Sequence, residues 1–187
     1  MKRIVGVLLV AVSLAVLVAT YLPLAENEVK YQLNKLEGKK IEDAKPLYPD
    51  FGIVIPKLSI NSRVIKNVNP YDAKIYQKAL TRGVAHAQGT ALPGENGNIF
   101  IFSHSSENFY EAVRYNSIFY LLPKLSIGDT ITLYYENNRF DYHVAEKKII
   151  NSGEISYLSG NSEKPTLTLM TCYPLGTNLK RFIIVAN

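Results

Sequence analysis

Two β-rich segments joined by a short loop, together covering residues 165–187, place the tightest constraint on the fold of this sequence. The first segment is apolar and rich in β-branched residues, and Pro174 ends it because proline donates no backbone hydrogen bond to a sheet. The second segment begins at Arg181 and continues to Asn187. We expect the two segments to pair as a hairpin, so that the end of the first lies beside the start of the second.

This predicted hairpin brings a thiol and a guanidinium to the same rim of the sheet. Cys172 is the only cysteine in the sequence and stands where the first segment ends, whereas Arg181 opens the second. A nearby cation favours the thiolate, which is the nucleophilic form of cysteine. Cys172 is therefore a candidate nucleophile. The alternative is a buried, unreactive cysteine that behaves as a small apolar residue.

A cysteine nucleophile needs a base, and the sequence offers three histidines. His104 follows the β-rich run 99–102 and is far from Cys172 in sequence, as expected of a site that the fold assembles. His143 lies inside a predicted strand, where we expect a surface or cross-strand role. His86 precedes a turn rich in proline and glycine, where we expect a hydrogen-bonded loop histidine, with a place along the groove as the alternative. His104 is therefore the candidate general acid and base.

The rest of the pattern predicts an all-β domain with minor helix. Strands are expected over residues 52–60, 63–66, 99–102, 130–135 and 140–150, besides the two final segments, and a short helix over 71–80. Asn137 and Asn138 are expected to form the turn of a hairpin over 130–150. About eight short strands favour a closed antiparallel barrel.

Residues 4–22 form a run of 19 residues without a charge. A helix of that length spans about 30 Å, the thickness of the hydrocarbon core of a bilayer. Lys2 and Arg3 precede the run, and Glu26 and Glu28 follow it. The positive-inside rule then predicts a single-pass cell-membrane protein with a cytoplasmic N-terminus and an extracytoplasmic domain. A cleaved signal peptide is the alternative, although no small-x-small pair follows the run cleanly.

Three parts are thus expected: a transmembrane anchor at 4–22, a stalk or linker at 23–50 and a β domain at 51–187. The stalk begins with apolar residues at helical spacing and ends in a segment that contains Pro46 and Pro49. We expect a spacer between membrane and domain, with a lid over the site as the alternative.

Composition excludes other classes of function. The formal net charge is +5, and no run of Lys or Arg is longer than two, so we expect no nucleic-acid binding. No Cys/His pattern has the spacing of a zinc site. Four glutamates, Glu107, Glu111, Glu154 and Glu163, lack an ordered ligand loop for calcium. We therefore expect no metal and no cofactor.

The motif Thr-Leu-x-Thr-Cys at 168–172, with Asn98 six residues before His104 and Arg-Phe-Ile-Ile-Val from Arg181, resembles the sortases. These are membrane-anchored cysteine transpeptidases that join secreted proteins to the cell wall or to one another. The resemblance covers about residues 51–187 and implies a closed eight-stranded antiparallel β-barrel. The context of Cys172 and Arg181 favours the pilin-type or D-like classes, although the plug Asp-Pro-aromatic of lidded pilin-type sortases is absent from the stalk.

The resemblance also implies roles for individual residues. Cys172 would form a thioacyl enzyme, His104 would act as acid and base, Arg181 would stabilise the oxyanion or hold substrate, and Thr171 would contact substrate or the oxyanion pocket. The implied donors are secreted proteins with a C-terminal Leu-Pro-x-Thr-Gly-like signal, and the acceptor is an amine of a peptidoglycan precursor or a pilin lysine. Ser103 departs from the family, in which glycine usually precedes the histidine.

Two other functions remain open from the sequence alone. A secreted, membrane-tethered cysteine protease would use the same cysteine and histidine, but it normally adds an Asn or Asp that orients the histidine, and no such residue is evident. A catalytically inactive barrel that serves as a binding module would not need Cys172, His104 and Arg181 together.

Overall fold

The computed structural model describes residues 2–36, 45–104, 118–154, 163–174 and 177–187. The chain divides into two compact units, residues 1–39 and 40–187. In the first unit, one helix, α1, runs over Lys2–Leu36. Among the residues that the structure describes, no helix is long and apolar enough to cross a membrane. The division into anchor, stalk and β domain stays a prediction.

The second unit is a closed β-barrel built from eight described strands. They are β1 (Phe51–Ile55), β2 (Ile60–Val68), β3 (Val84–Ala87), β4 (Gly97–Phe102), β5 (Thr130–Tyr135), β6 (Asn138–Asn151), β7 (Pro165–Tyr173) and β8 (Lys180–Ala186). Around the barrel their order is β1-β2-β3-β4-β7-β8-β6-β5. A helix, α2 (Ala73–Leu80), connects β2 to β3, and short 3₁₀ turns occupy Pro56–Leu58 and Leu122–Lys124.

The prediction of a closed eight-stranded barrel is confirmed, but the prediction that all its strands are antiparallel is wrong. β2 pairs with β3 and β4 pairs with β7 in parallel, and the barrel is therefore mixed. Parallel neighbours need a crossover connection. For β2 and β3 the crossover contains α2, and for β4 and β7 it contains the whole β5–β6 hairpin. Short apolar runs show where strands lie but not which distant strands pair, so the sequence pattern missed both crossovers.

Local signals predicted the other elements well. The predicted helix over 71–80 is α2, which begins because the Asp72 carboxylate accepts a hydrogen bond from Ile75 N over 3.1 Å. The predicted hairpin is β5–β6, with its turn one residue earlier, at Glu136 and Asn137, which both have positive φ. The expected single strand over 52–60 is interrupted at Pro56, where a 3₁₀ turn separates β1 from β2.

The two faces of β4 are both buried, each against a different layer. Ile99 and Ile101 face the interior of the barrel and are fully buried. Phe100 and Phe102 point to the opposite face, because successive side chains of a strand alternate. There they form an apolar cluster with Leu80 of α2. This cluster fixes α2 against the outside of the barrel beside the end of β4.

The strand β3 was not predicted, because its four residues are too few to show a pattern. Gly83 stands directly before it, and a Cβ atom at this position would lie 2.3 Å from the carbonyl oxygen of Arg63 in β2. Glycine is therefore required for the close approach of the two chains. The expected loop around His86 is in fact this strand.

His86 is a structural residue of β3, hydrogen-bonded as expected and 2% exposed. Its Nδ1 accepts from Asn67 N over 3.2 Å, so its Nε2 carries the proton and donates to the carbonyl of Ala91 over 2.9 Å. Burial lowers the pKa of His86 below its ordinary value of 6.5, although the bond to Ala91 opposes this effect. His86 therefore ties β2 and the turn after β3 together as a neutral side chain.

We predict that His86→Gln weakens the acid sensitivity of folding. The pKa of His86 is lower in the folded state, so the unfolded chain binds more protons below about pH 6.5. The stability that neutral His86 contributes is complete above that pH and is lost as the pH falls toward the lowered pKa. Urea unfolding at pH 7.5 and pH 5.5 should show a smaller difference in the variant than in the wild type.

His143→Gln is the matched control, because it removes an exposed histidine from β6. Equal pH dependence in the wild type and His86→Gln would contradict the predicted neutral, buried state of His86.

Candidate active site

The β7–β8 hairpin places Cys172 directly opposite Arg181. The predicted pairing of these two segments is therefore confirmed. Residues directly opposite in an antiparallel pair have Cβ atoms about 4.5–5.5 Å apart on the same face of the sheet. Both side chains are half-buried, so thiol and guanidinium share one accessible rim.

The parallel pairing of β4 with β7 brings His104 to the same rim. The last partners in this ladder are Phe102 and Met170, and Ser103 N still donates to the Met170 carbonyl over 3.2 Å. His104 and Cys172 each lie two residues beyond that last pair, hence on the same face at the same end. His104 is 6% exposed. Three neighbouring strands thus deliver one candidate residue each.

One pocket of about 300 Å³ joins the four predicted site residues. His104, Thr171, Cys172 and Arg181 line it together. The rest of its wall is largely apolar and comes from α2, the residues just before α2, β4, β7 and β6: Pro70, Tyr71, Tyr76, Leu80, Phe100, Phe102, Met170 and Ile150. Three polar residues also line the pocket: Ser103, and Ser152 and Glu154, which follow β6. The pocket is large enough for part of an extended peptide and lies against the thiol.

Backbone carbonyls hold the guanidinium of Arg181. Its Nη1 donates to the carbonyl oxygens of Asn178 over 2.9 Å and of Lys180 over 3.1 Å. In the described part of the chain, no carboxylate forms a salt bridge with Arg181. Carbonyl acceptors orient the guanidinium without neutralising its formal charge. The guanidinium is therefore a fixed cation in the wall of the pocket that Cys172 also lines.

Thr171 lies in this site but is 2% exposed. Its Oγ1 donates to the carbonyl of Ser103 over 3.1 Å, so its hydroxyl is bonded inside the protein. The contact with substrate or the oxyanion pocket that the family resemblance implies for Thr171 stays a prediction.

Sequence reasoning missed Tyr76, which packs on the candidate base. Its ring lies 6.4 Å from the ring of His104 and 6.2 Å from that of Phe102, measured between centroids. Tyr76 belongs to α2, and only the packing of that helix against β4 brings it here. No local signal in the sequence indicates this contact.

Within the described ranges, no group of three or more His, Cys, Asp or Glu side chains could hold a metal ion. Glu107 and Glu111, two of the four glutamates considered for calcium, lie outside the described residues. The expectation of no metal stays a prediction.

The arrangement suits acyl transfer through a covalent intermediate. A thiolate can attack a carbonyl carbon, an imidazole can move a proton, and a guanidinium can bind the oxyanion that develops. Arg181 is excluded as the base because guanidinium stays protonated in proteins. His104 is the only titratable base among the four predicted residues besides the thiol itself.

We predict that Cys172→Ala leaves the fold almost unchanged. Cys172 is half-buried at a rim, so its loss should change the free energy of unfolding by about 1 kcal/mol or less. The matched control is Leu169→Ala in the same strand, where the side chain is 0% exposed and truncation should cost about 2–5 kcal/mol. Urea unfolding measures both. A loss in Cys172→Ala as large as in Leu169→Ala would support the buried, unreactive cysteine.

Comparison with known proteins agrees with this geometry. The family model described as "Sortase domain" matches residues 53–187. Sortase D of Bacillus subtilis (strain 168) is 28% identical over 133 residues, which cover 70% of this chain and 59% of that protein.

Solved structures give the same result for the fold. A sortase D5 transpeptidase of Clostridium perfringens has a TM-score of 0.61 at 25% identity, covering 87% of this chain and 93% of that one. Sortase C1 of Streptococcus agalactiae has a TM-score of 0.60 at 25% identity, covering 73% of this chain and 65% of that one. Because the family model matches well over half of the sequence, from β1 through the Cys172–Arg181 hairpin, the chain belongs to the sortase family.

Proposed function

We propose that this protein is a cysteine transpeptidase that cleaves a Leu-Pro-x-Thr-Gly-like sorting signal and transfers the acyl group to an amine. The observation that carries the proposal is the register of β7 on β8, which sets Cys172 opposite Arg181 beside the end of β4, where His104 follows. A pocket with an apolar wall opens onto the thiol, as a peptide substrate requires.

In the first half-reaction the Cys172 thiolate attacks the carbonyl carbon of the sorting signal, and the carbonyl π electrons move onto oxygen. Arg181 donates hydrogen bonds to this oxyanion, a contribution that often reaches about 3 kcal/mol for one donor. When the tetrahedral intermediate collapses, the C–N bond breaks and protonated His104 gives its proton to the departing amine. The product is a thioester on Cys172 and neutral His104.

In the second half-reaction an acceptor amine attacks the thioester carbonyl. His104 takes the proton from the amine, and Arg181 again stabilises the oxyanion. The C–S bond breaks, which restores the Cys172 thiolate and protonated His104 and leaves a new amide bond. The proton and the charge of the site are thereby returned to their starting state without an external oxidant or reductant.

The proposed donors are secreted proteins with a C-terminal Leu-Pro-x-Thr-Gly-like signal. The proposed acceptor is an amine of a peptidoglycan precursor or a pilin lysine. Family membership and the open pocket at Cys172 support these partners. An acceptor outside the protein must reach the thioester, and the half-buried position of Cys172 permits this access.

We further propose that residues 4–22 anchor the protein in the cell membrane, with the N-terminus in the cytoplasm and the catalytic domain outside. The 19 residues carry no charge, and Lys2 and Arg3 stand on the proposed cytoplasmic side. Many apolar side chains of α1 are exposed, for example Ile4 at 71% and Leu14 at 61%. Exposed apolar surface of this extent is typical of contact with lipid or another partner.

We predict that amines accelerate turnover of a Leu-Pro-x-Thr-Gly-like peptide and divert the product from acid to amide. In the proposed mechanism the thioester is resolved by an amine in preference to water. The measurement is product analysis by mass spectrometry with and without triglycine or hydroxylamine, using Cys172→Ala as the inactive control. Efficient hydrolysis with rate and product unaffected by either amine would instead favour the cysteine protease.

The proposed orientation in the membrane yields a separate prediction. Protease added to intact spheroplasts should remove the extracytoplasmic domain and leave a short membrane-bound fragment, because residues after 22 are proposed to lie outside. Immunoblotting with antibodies to both ends of the chain detects the two products. Complete protection of the chain would contradict the proposed orientation, and a shortened soluble protein from untreated cells would show signal cleavage instead of anchoring.

A further inference from the structure

The hydroxyl of Thr171 joins the residue before the proposed nucleophile to the residue before the proposed base. Thr171 Oγ1 donates to the carbonyl oxygen of Ser103 over 3.1 Å, between two buried residues. Thr171 directly precedes Cys172, and Ser103 directly precedes His104. One side-chain hydrogen bond therefore connects the two backbone segments that carry the reacting groups.

This bond continues the attachment of β4 to β7 beyond the regular ladder. The last backbone pair is Phe102 with Met170, and Ser103 N donates to the Met170 carbonyl over 3.2 Å. With Thr171 bound to its carbonyl, Ser103 has both of its backbone polar groups held by β7. The Ser103 carbonyl and the His104 amide belong to one planar peptide unit. Holding this carbonyl in place therefore also orients the peptide plane that contains the backbone nitrogen of His104.

We infer that Thr171 is a positioning residue that acts on the reaction through His104, an inference that rests on the proposed chemistry of Cys172 and His104. A hydroxyl has one proton to donate, and that of Thr171 is donated to Ser103. While this bond is formed, the same proton cannot be donated to an oxyanion or a substrate carbonyl. We expect Thr171 to help set the distance and orientation of the His104 imidazole relative to the Cys172 thiolate.

The chain contains a matched control on the same two strands. Thr168 of β7 is also 2% exposed, and its Oγ1 donates to Asn98 Oδ1 of β4 over 2.9 Å. Thr168→Val therefore removes a buried hydrogen bond between β4 and β7, as Thr171→Val does. The difference is that the bond of Thr168 lies toward the start of β4, away from His104.

The experiment measures the rate of Cys172 alkylation by iodoacetamide as a function of pH, together with urea unfolding. We expect Thr171→Val to slow alkylation at neutral pH by about tenfold, since iodoacetamide reacts with the thiolate and a displaced imidazolium stabilises that thiolate less. Its pH profile should move toward that of His104→Ala. Thr171→Ser retains a hydroxyl and should restore the wild-type profile. Thr168→Val should lose comparable stability yet keep that profile.

A wild-type pH profile in Thr171→Val, or an equal displacement in Thr168→Val, would overturn the inference. If Thr171→Val does not fold, Thr171→Ala supplies the same comparison, because it removes the hydroxyl without putting a methyl group in its place. Iodoacetamide is not a sorting peptide, so this outcome leaves the proposed transpeptidase function intact. An unchanged profile in His104→Ala would overturn both the inference and the proposed pairing of His104 with Cys172.

Discussion

The site depends on one cross-strand pair, Cys172 opposite Arg181 in the β7–β8 hairpin. Side chains alternate along a strand, so a slip of one residue in this register would turn one of the two to the other face of the sheet. The buried residues of the same strands prevent this slip, because Leu169 and Ile184 pair in the same ladder and are fully buried. The register that packs the barrel is thus the register that assembles the site.

The parallel pairing of β4 with β7 adds the proposed base to this pair. It sets His104 at the rim from a third strand, and the Thr171–Ser103 hydrogen bond extends the attachment beyond the last ladder pair. α2 completes the arrangement on the outside, where Tyr76 packs on His104. The proposed reacting groups are therefore carried by regular strands and their immediate ends, which hold geometry better than long loops. His86, the other buried histidine, is bonded elsewhere and stabilises the fold.

The sequence could predict what local signals determine. Pro174 and the apolar runs around it indicate the hairpin, and the hairpin alone predicts that Cys172 meets Arg181. The sequence could not predict which strands are parallel neighbours. The partner of β4 is β7, which follows more than 60 residues later in the chain and is selected by the packing of the whole barrel. For the same reason the sequence missed Tyr76, whose contact with His104 exists only through the docking of α2. β3 was not predicted because a strand of four residues is too short to show an alternation of apolar and polar side chains.

The rate of thioester formation in Arg181→Lys tests the central pair most directly. Intact mass spectrometry of a single turnover with a Leu-Pro-x-Thr-Gly-like peptide follows the adduct on Cys172. Lysine keeps the charge but lacks the planar fork of donors, so acylation should fall by about 10²-fold or more. Arg139→Lys, in the exposed ion pair with Asp141, should acylate at the wild-type rate. Wild-type acylation in Arg181→Lys would contradict the proposed role of the Cys172–Arg181 pair.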